Sequence, residues 1–599
     1  MNPRFPFRAL SITTVTLTCT LALAAPAQAE TARNVIVLIP DGQSQSVVKL
    51  ARLYRDAPLA VDGILTGMVD TSMANSVITG SAAAGTAFST GYRTTEPHIG
   101  MAPRARDVVS TYEPPTGVDW DTWAYRPLAT VLEGAALQGK ATGLVATSRI
   151  THATPATYAA HVDDRGDEDT IMKHLVHQDL DVVLGGGYRH LLPAEAGGTR
   201  EDGLDLEQVL EERGYHVVDH ADQLADIHEG RVWGLFAHSH LMPDLDRSHL
   251  RGHPHEHDPD RVDQARAEPS LAEMTAKAIE LLSRNPSGFF LTVEGSQVDW
   301  AGHDNDVPYA LHDYLAFDDA VRVALDHARR DPQTLVIVVP DHNTGALSIG
   351  NWASSGNYTA TTPEEVIDPL KGMQVTGGFL VDRLGEDPSD EAIREAVERY
   401  WEIRLGEDDL AAIREEEPTR GLKRAIIKVV NDRYTVFGWS THGHSAEDVP
   451  LWGFGPGAPR GLMENTGIAH SVAGVLGLEL DVTDPHGLNH RLFVDVHEAF
   501  PHARVDDSGV QVDGWTLPNG TDLLLGEPGR CELEGLTVHV PAADDGAGRT
   551  YIPAQAVEIL ENPALWHRHC EDARATPGQR IRDRILERLQ GALPEQAAR

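Results

Sequence analysis

"NVIVLIPDG", Asn34 to Gly42, is the stretch that decides the fold. A short run of Val, Ile and Leu without polar alternation reads as a strand covered on both faces, as in a mostly parallel sheet. It ends in Asp41. Taken alone, an acid after a strand usually caps the next helix. Here the pattern returns twice: "GFFLTVE" ends in Glu294, with Asp299 and His303 following, and "TLVIVVP" leads into Asp341 and His342. "GLVATS", "DVVLGGG" and "VPLWGFG" read as further buried strands. Helical stretches lie among them, such as "SLAEMTAKAIELLSR", whose start Pro269 and Ser270 mark, and "DEAIREAVERYWEIRL". The alternation predicts an α/β fold with helices on both faces of a sheet.

In an open α/β sheet the loops at the carboxyl ends of the strands converge on one crevice. Three strands would then bring carboxylates and imidazoles together, where like charges repel unless cations sit among them. A lone histidine is more often a hydrogen-bonded core or surface residue than a ligand. Three acid-bearing strand ends in order point instead to a metal site. Mixed His and carboxylate sets suit Zn²⁺, and all-oxygen sets suit Mg²⁺; both can be assembled here.

The rest of the chain bounds the answer. It has 599 residues, a net charge of −40, 23% charged and 41% hydrophobic residues. That is too apolar for acidic disorder and too acidic for a nucleic-acid-binding surface. A heavily hydrated surface of halophilic type, suited to salty surroundings, is the reading. Arg4 and Arg8 precede the apolar run "ALSITTVTLTCTLALAA", and "AQA" at Ala27 to Ala29 has the small residues of a cleavage site. Residues 1–29 therefore read as a signal peptide, with no stable membrane anchor and an exported, periplasmic or extracellular product. Cys19 lacks the small preceding residue of a lipoprotein. Cys531 and Cys570 remain in the mature chain; their spacing permits a disulfide, a metal pair or two thiols.

Residues 30–480 read as the main α/β domain, with a helical insertion at about 351–432. From 481 to 599 short alternating runs such as "VQVDGWTL" and "LEGLTVHV" predict a small β-rich accessory region, followed by a helix near Arg580 to Leu593. "GAALQGKA" lacks the Ser or Thr of a P-loop and reads as a helix ending at Gly139. "HLRGHPHEHDPD", His249 to Asp260, reads as a solvated loop.

With these residues in view the chain resembles the alkaline phosphatases, in order from Asp41 to about Pro456. The segments are "PDG", "TGSAAAGTAFSTG", "THATPATYAAHVDDR", "VEGSQVDWAGHDND", "PDHNTG" and "STHGHS". The resemblance implies the three-layer α/β/α sandwich of that superfamily and hydrolysis of small phosphate monoesters; a homodimer is compatible with it. It implies two Zn²⁺ ions and one Mg²⁺. Asp299, His303 and His444 match the ligands of the first zinc. Asp41, Asp341 and His342 match those of the second, with Ser81 as nucleophile. Asp41 also bridges to the third ion, with Glu294 and Thr154, and Arg165 grips the phosphate. Two metals about 4 Å apart can clamp an in-line displacement, and a guanidinium can donate two parallel hydrogen bonds to the phosphoryl oxygens.

Several positions depart from the pattern. Relatives often carry Asp before the nucleophile; Gly80 stands here, which predicts a looser Arg165 and easier phosphate release. His152 and Trp300 replace residues that vary near the third ion and leave its identity open, while His161 is expected to support the site from outside. His442 is expected beside the ligands rather than among them. Two alternatives remain. A phosphodiesterase of the same superfamily more often uses threonine and does not need Glu294, Thr154 and Arg165; a sulfatase would need a C/S-x-P-x-R setting. The other is a metal-binding surface protein with little catalysis, whose tail does the work.

Overall fold

A computed structural model describes residues 31–255, 257–541 and 548–570. The expected leader and the helix near Arg580 to Leu593 lie outside the described residues. The core is a ten-stranded sheet. Its strands in chain order are β1 (Asn34–Pro40), β2 (Leu65–Asp70), β3 (Ala141–Arg149), β4 (Val182–Gly186), β5 (His216–Val218), β6 (Val232–Leu235), β7 (Phe289–Gly295), β8 (Thr334–Val338), β9 (Val449–Phe454) and β10 (Gly461–Glu464). Across the sheet the order is β10-β2-β9-β8-β1-β7-β3-β4-β6-β5. Only β9 runs against the rest, between β2 and β8. "VPLWGF" is thus a buried antiparallel strand, which its composition could not distinguish from a parallel one.

β1 sits near the middle, and every residue of it is buried. Its alternate side chains feed two hydrophobic cores. Ile36 and Leu38 pack on one face with the long helix Val307–Arg330, while Val35, Val37 and Ile39 face the other with the helices Ser81–Thr90 and Thr466–Leu476. This is the double covering that an unbroken Val/Ile/Leu run requires. Ile39 pairs with Glu294 of β7, and Leu38 pairs with Val338 of β8. That register brings Asp41, Glu294 and the residues after Val338 to one edge. The helix Leu271–Leu282 starts where the sequence marks it, with Ser270 and Glu273 forming a reciprocal cap.

Five helices between Pro363 and Tyr434 cover the segment read as an insertion. The histidine-rich stretch is corrected from a loop to two helix ends. His249 lies in the helix Asp244–Gly252 and packs edge-on against Phe379 and Tyr400, while Pro259 opens the next helix. Beyond the catalytic sheet, a five-stranded antiparallel meander runs from Arg504 to Glu532, beside a three-stranded sheet holding Val538–Val540 and Arg549–Ile552. Its own core gathers Val510, Leu517, Leu524 and Trp566. Cys531 and Cys570 are joined as a disulfide, which settles what the spacing left open. No helix among the described residues is long and apolar enough to cross a membrane.

Candidate active site

Ser81 is the first residue of the helix Ser81–Thr90, with Gly80 as its N-cap, and all ten helix residues are buried. Small side chains make that depth reachable: a Cβ at Gly85 would meet Thr157 Oγ1 at 2.5 Å. A helix start leaves its first N–H groups without intrahelical acceptors, beside the Ser81 hydroxyl; the Ala83 N–H among them donates to Glu96 Oε1. Ser81 Oγ lies 3.1 Å from His342 Nε2.

Around this pair the strand ends deliver their acids. Three groups of potential ligand atoms converge: Asp299, His303 and His444; Asp41, Asp341 and His342; and Asp41, Glu294 and His152. His342 Nε2 is 3.4 Å from Asp41 Oδ1 and 3.2 Å from Asp341 Oδ2. His303 Nε2 is 3.4 Å from Asp299 Oδ2 and 3.3 Å from His444 Nε2. Thr154 is buried at the start of its short helix.

The other edge of each ring is fixed. His303 Nδ1 lies 2.5 Å from the His442 carbonyl, and His444 Nδ1 lies 2.7 Å from that of Thr79. A carbonyl only accepts, so both rings donate from Nδ1 and turn Nε2 inward. Thr344 Oγ1 donates to Asp299 Oδ1 at 2.6 Å and lies 3.2 Å from His342 Nδ1, which imposes the same tautomer on His342. Asp341 Oδ1 accepts the N–H groups of Gly42 and His342, leaving Oδ2 for the interior. His442 itself faces away, with Nε2 on Arg420.

What the inward atoms lack is decisive. Both Asp41 oxygens, Asp341 Oδ2, Glu294 Oε1, Thr154 Oγ1 and His152 Nδ1 are buried without a hydrogen-bond partner. Burial, then the carboxylates of Asp341, Asp299 and Glu294, hold Asp41 well above the carboxylate range. Burial pushes Glu294 and Asp341 up to about 7. Asp299 goes the other way: burial opposes it, but His303, His342 and His444 outweigh burial and hold it low. Burial and the neighbouring His444 keep His342 far below the usual imidazole range, hence neutral with its lone pair available. Orphaned buried oxygens of this number fit cations and are costly without them. The donor sets suit two mixed His/carboxylate sites and one dominated by oxygen.

Arg165 reaches the site from the side, with Nη2 3.2 Å from His152 Nε2. Trp300 and His240 pack edge-on against each other and against His152, and burial with the Arg165 charge lowers His152 to about 4. His161 stays apart: Nε2 is 3.0 Å from Glu133 and Nδ1 is 3.0 Å from the Gly100 carbonyl. Burial would lower that imidazole, but Glu133 raises it more. Arg165, expected to be looser for want of an acid before the nucleophile, has Glu96 Oε2 3.6 Å from its Nη1. Glu96, His240 and Thr344 were not singled out from the sequence. Thr344 stands two residues after His342, so its position alone was a signal; the other two belong to no motif.

The family model described as alkaline phosphatase matches residues 32–478. Alkaline phosphatase 4 of Bacillus subtilis is 33% identical over 470 residues, covering 74% of this chain and 88% of that protein. Among solved structures, the Thermus thermophilus alkaline phosphatase superposes with a TM-score of 0.63 at 27% identity, over 75% of this chain and 92% of that one. A cold-active alkaline phosphatase from Shewanella sp. gives 0.59 at 27% identity, over 74% of this chain and 99% of that one.

Proposed function

The chain belongs to the alkaline phosphatase family, and from that premise we propose that it hydrolyses phosphate monoesters to an alcohol and inorganic phosphate through a phosphoserine at Ser81. What supports this most is Ser81 itself, whose hydroxyl meets a neutral His342 at the mouth of a buried helix, among carboxylates with unpartnered oxygens. Asp299, His303 and His444 would hold one zinc ion. Asp41, Asp341 and His342 would hold a second, with Ser81 Oγ beside it. Asp41, Glu294 and Thr154 would hold a third; their oxygens favour magnesium, and His152 stands near for a softer ion. When bound, the zinc pair supplies Lewis acidity that favours the serine alkoxide and takes up charge on the leaving oxygen.

The chain does the rest by position. Arg165 donates two N–H groups to two phosphoryl oxygens and fixes the ester in line with Ser81 Oγ. Backbone N–H groups of the helix start face the anion. The Oγ–P bond forms as the ester O–P bond breaks, and the proton lost by Ser81 Oγ leaves with the departing oxygen as the alcohol. Water then attacks phosphorus and breaks the Oγ–P bond, which returns the serine and releases phosphate. The Cys531–Cys570 disulfide supports an oxidising compartment, and with it export.

The test compares a nitrophenyl monoester with its diester. Monoester turnover should dominate, and Ser81→Ala should lower its kcat by on the order of 10⁴-fold or more. Equal or faster diester turnover, or an unaffected Ser81→Ala variant, would overturn the reading.

A further inference from the structure

Gly80 raises a question that its backbone does not answer. Its φ of −108° and ψ of 169° are extended values open to any residue. The space is what matters, because a side chain there would have to displace Glu96: a Cβ would lie 2.3 Å from Glu96 Oε1, 2.6 Å from Cδ and 2.8 Å from Cγ. The Glu96 carboxylate fills the position next to the nucleophile. Its two oxygens reach different partners. Oε1 accepts the N–H of Ala83, in the first turn of the Ser81 helix, at 3.1 Å. Oε2 faces Arg165 Nη1 at 3.6 Å.

The two loops that carry these groups are also bound to each other. The Arg165 N–H donates to the Pro97 carbonyl at 2.9 Å, and Ile99 and Val162 form an antiparallel bridge. His98 Nδ1 lies 2.8 Å from the Asp163 carbonyl. Glu96 and Arg165 therefore sit on one hydrogen-bonded unit, and Glu96 connects that unit to the helix start. An acid accepting a first-turn N–H is electrostatically favoured there, which supplies the cap that Gly80 cannot. On its far side the guanidinium meets His152 Nε2. Carboxylate and imidazole together leave few orientations for a flat, forked donor.

We propose that Glu96 is a positioning residue: it couples the phosphate-gripping Arg165 to the Ser81 helix, and Gly80 is the vacancy that admits it. This rests on Arg165 binding phosphate, as set out above. Glycine at 80 and glutamate at 96 then form one device, in which the carboxylate arrives from a neighbouring loop instead of from the residue before the nucleophile. An ordinary half-exposed ion pair contributes little. This one acts through the orientation of a donor that must meet two oxygens at once.

The readout is competitive inhibition by inorganic phosphate, with KM and kcat separated, on the full-length, metal-replete enzyme. Glu96→Ala should raise the phosphate Ki and the monoester KM by roughly 3- to 10-fold. Glu96→Gln keeps an oxygen for the Ala83 N–H and should weaken phosphate similarly, which separates the charge from the helix cap. Gly80→Asp alone places two carboxylates in one space and should impair the enzyme, whereas Gly80→Asp with Glu96→Ala should recover phosphate binding. Arg165→Ala keeps the two readings apart. If it leaves the phosphate Ki unchanged, Arg165 is not the phosphate ligand. If it weakens phosphate while both Glu96 variants stay at the parent Ki, the coupling is wrong. Failure of the double variant to improve on Glu96→Ala would likewise overturn the shared-space claim.

Discussion

Two of this protein's clusters of buried charge, at Asp522 and at the strand edge, are assembled on opposite terms. Where the C-terminal strands meet the ends of the helices Glu168–His177 and Leu206–Glu212, Asp522 is buried, but Arg213 Nη2 at 2.5 Å and His177 Nδ1 at 2.7 Å face the same oxygen. Burial would raise that carboxyl; Arg213 outweighs it and the pKa falls to about 2. At the strand edge, Asp41, Glu294 and Asp341 are as deeply buried, yet they have no guanidinium, keep unpartnered oxygens and are pushed upward. Asp522 is thus neutralised by the chain's own cation, whereas the strand-edge acids keep oxygens with no partner at all, unlike Asp246 and Asp306, which are buried elsewhere but fully hydrogen-bonded. Buried charge marks a site when its partner is missing, not merely when it is present.

Substitutions can break the contrast from either side. The largest effect is expected at the dock. Asp522→Asn strands a buried Arg213 and should cost about 3–5 kcal/mol in denaturant unfolding. Metal content and kcat per folded molecule should stay unchanged. A drop in bound metal would mean the two clusters are not separate. A smaller effect is expected at Thr344, which touches the cradle from behind. Thr344→Val keeps the shape but removes the hydroxyl shared by Asp299 and His342. Metal affinity should fall about 10- to 100-fold, measured by competition with a chromophoric chelator, with little change in the stability of the metal-saturated protein. An unchanged affinity would show that the hydroxyl does not set the His342 tautomer.

Much of this was legible in the sequence for a physical reason. A strand buried on both faces must be a continuous apolar run, so β1, β7 and β8 stand out, and so do the acids that end them. What composition cannot carry is direction and pairing. "VPLWGF" is as apolar as its neighbours, yet runs against them. Leu65 and Leu462, on β2 and the edge strand β10, are exposed and give those strands no buried signature. Glu96 was invisible because its meaning depends on two loops zipped through the Ile99–Val162 bridge, 63 residues apart in sequence. Gly80 pointed at the gap, but only the fold reveals what fills it. The disulfide was undecided for the same reason: separation says nothing about distance in space.

The central claim is that the strand-edge acids are held for cations. Thermal unfolding of chelator-treated and metal-loaded protein, compared from pH 5 to pH 8, tests it most directly. In the metal-free chain Glu294 and Asp341 have folded-state pKa values of about 7, above those of the unfolded chain. Their contribution to stability is complete below the unfolded values and is lost as pH rises through the folded ones. Bound cations keep the carboxylates ionised and remove that loss. The account predicts a gap in Tm between the two forms that widens from pH 5 to about pH 7 and levels off towards pH 8. A gap that is absent, or unchanged over that range, would contradict it.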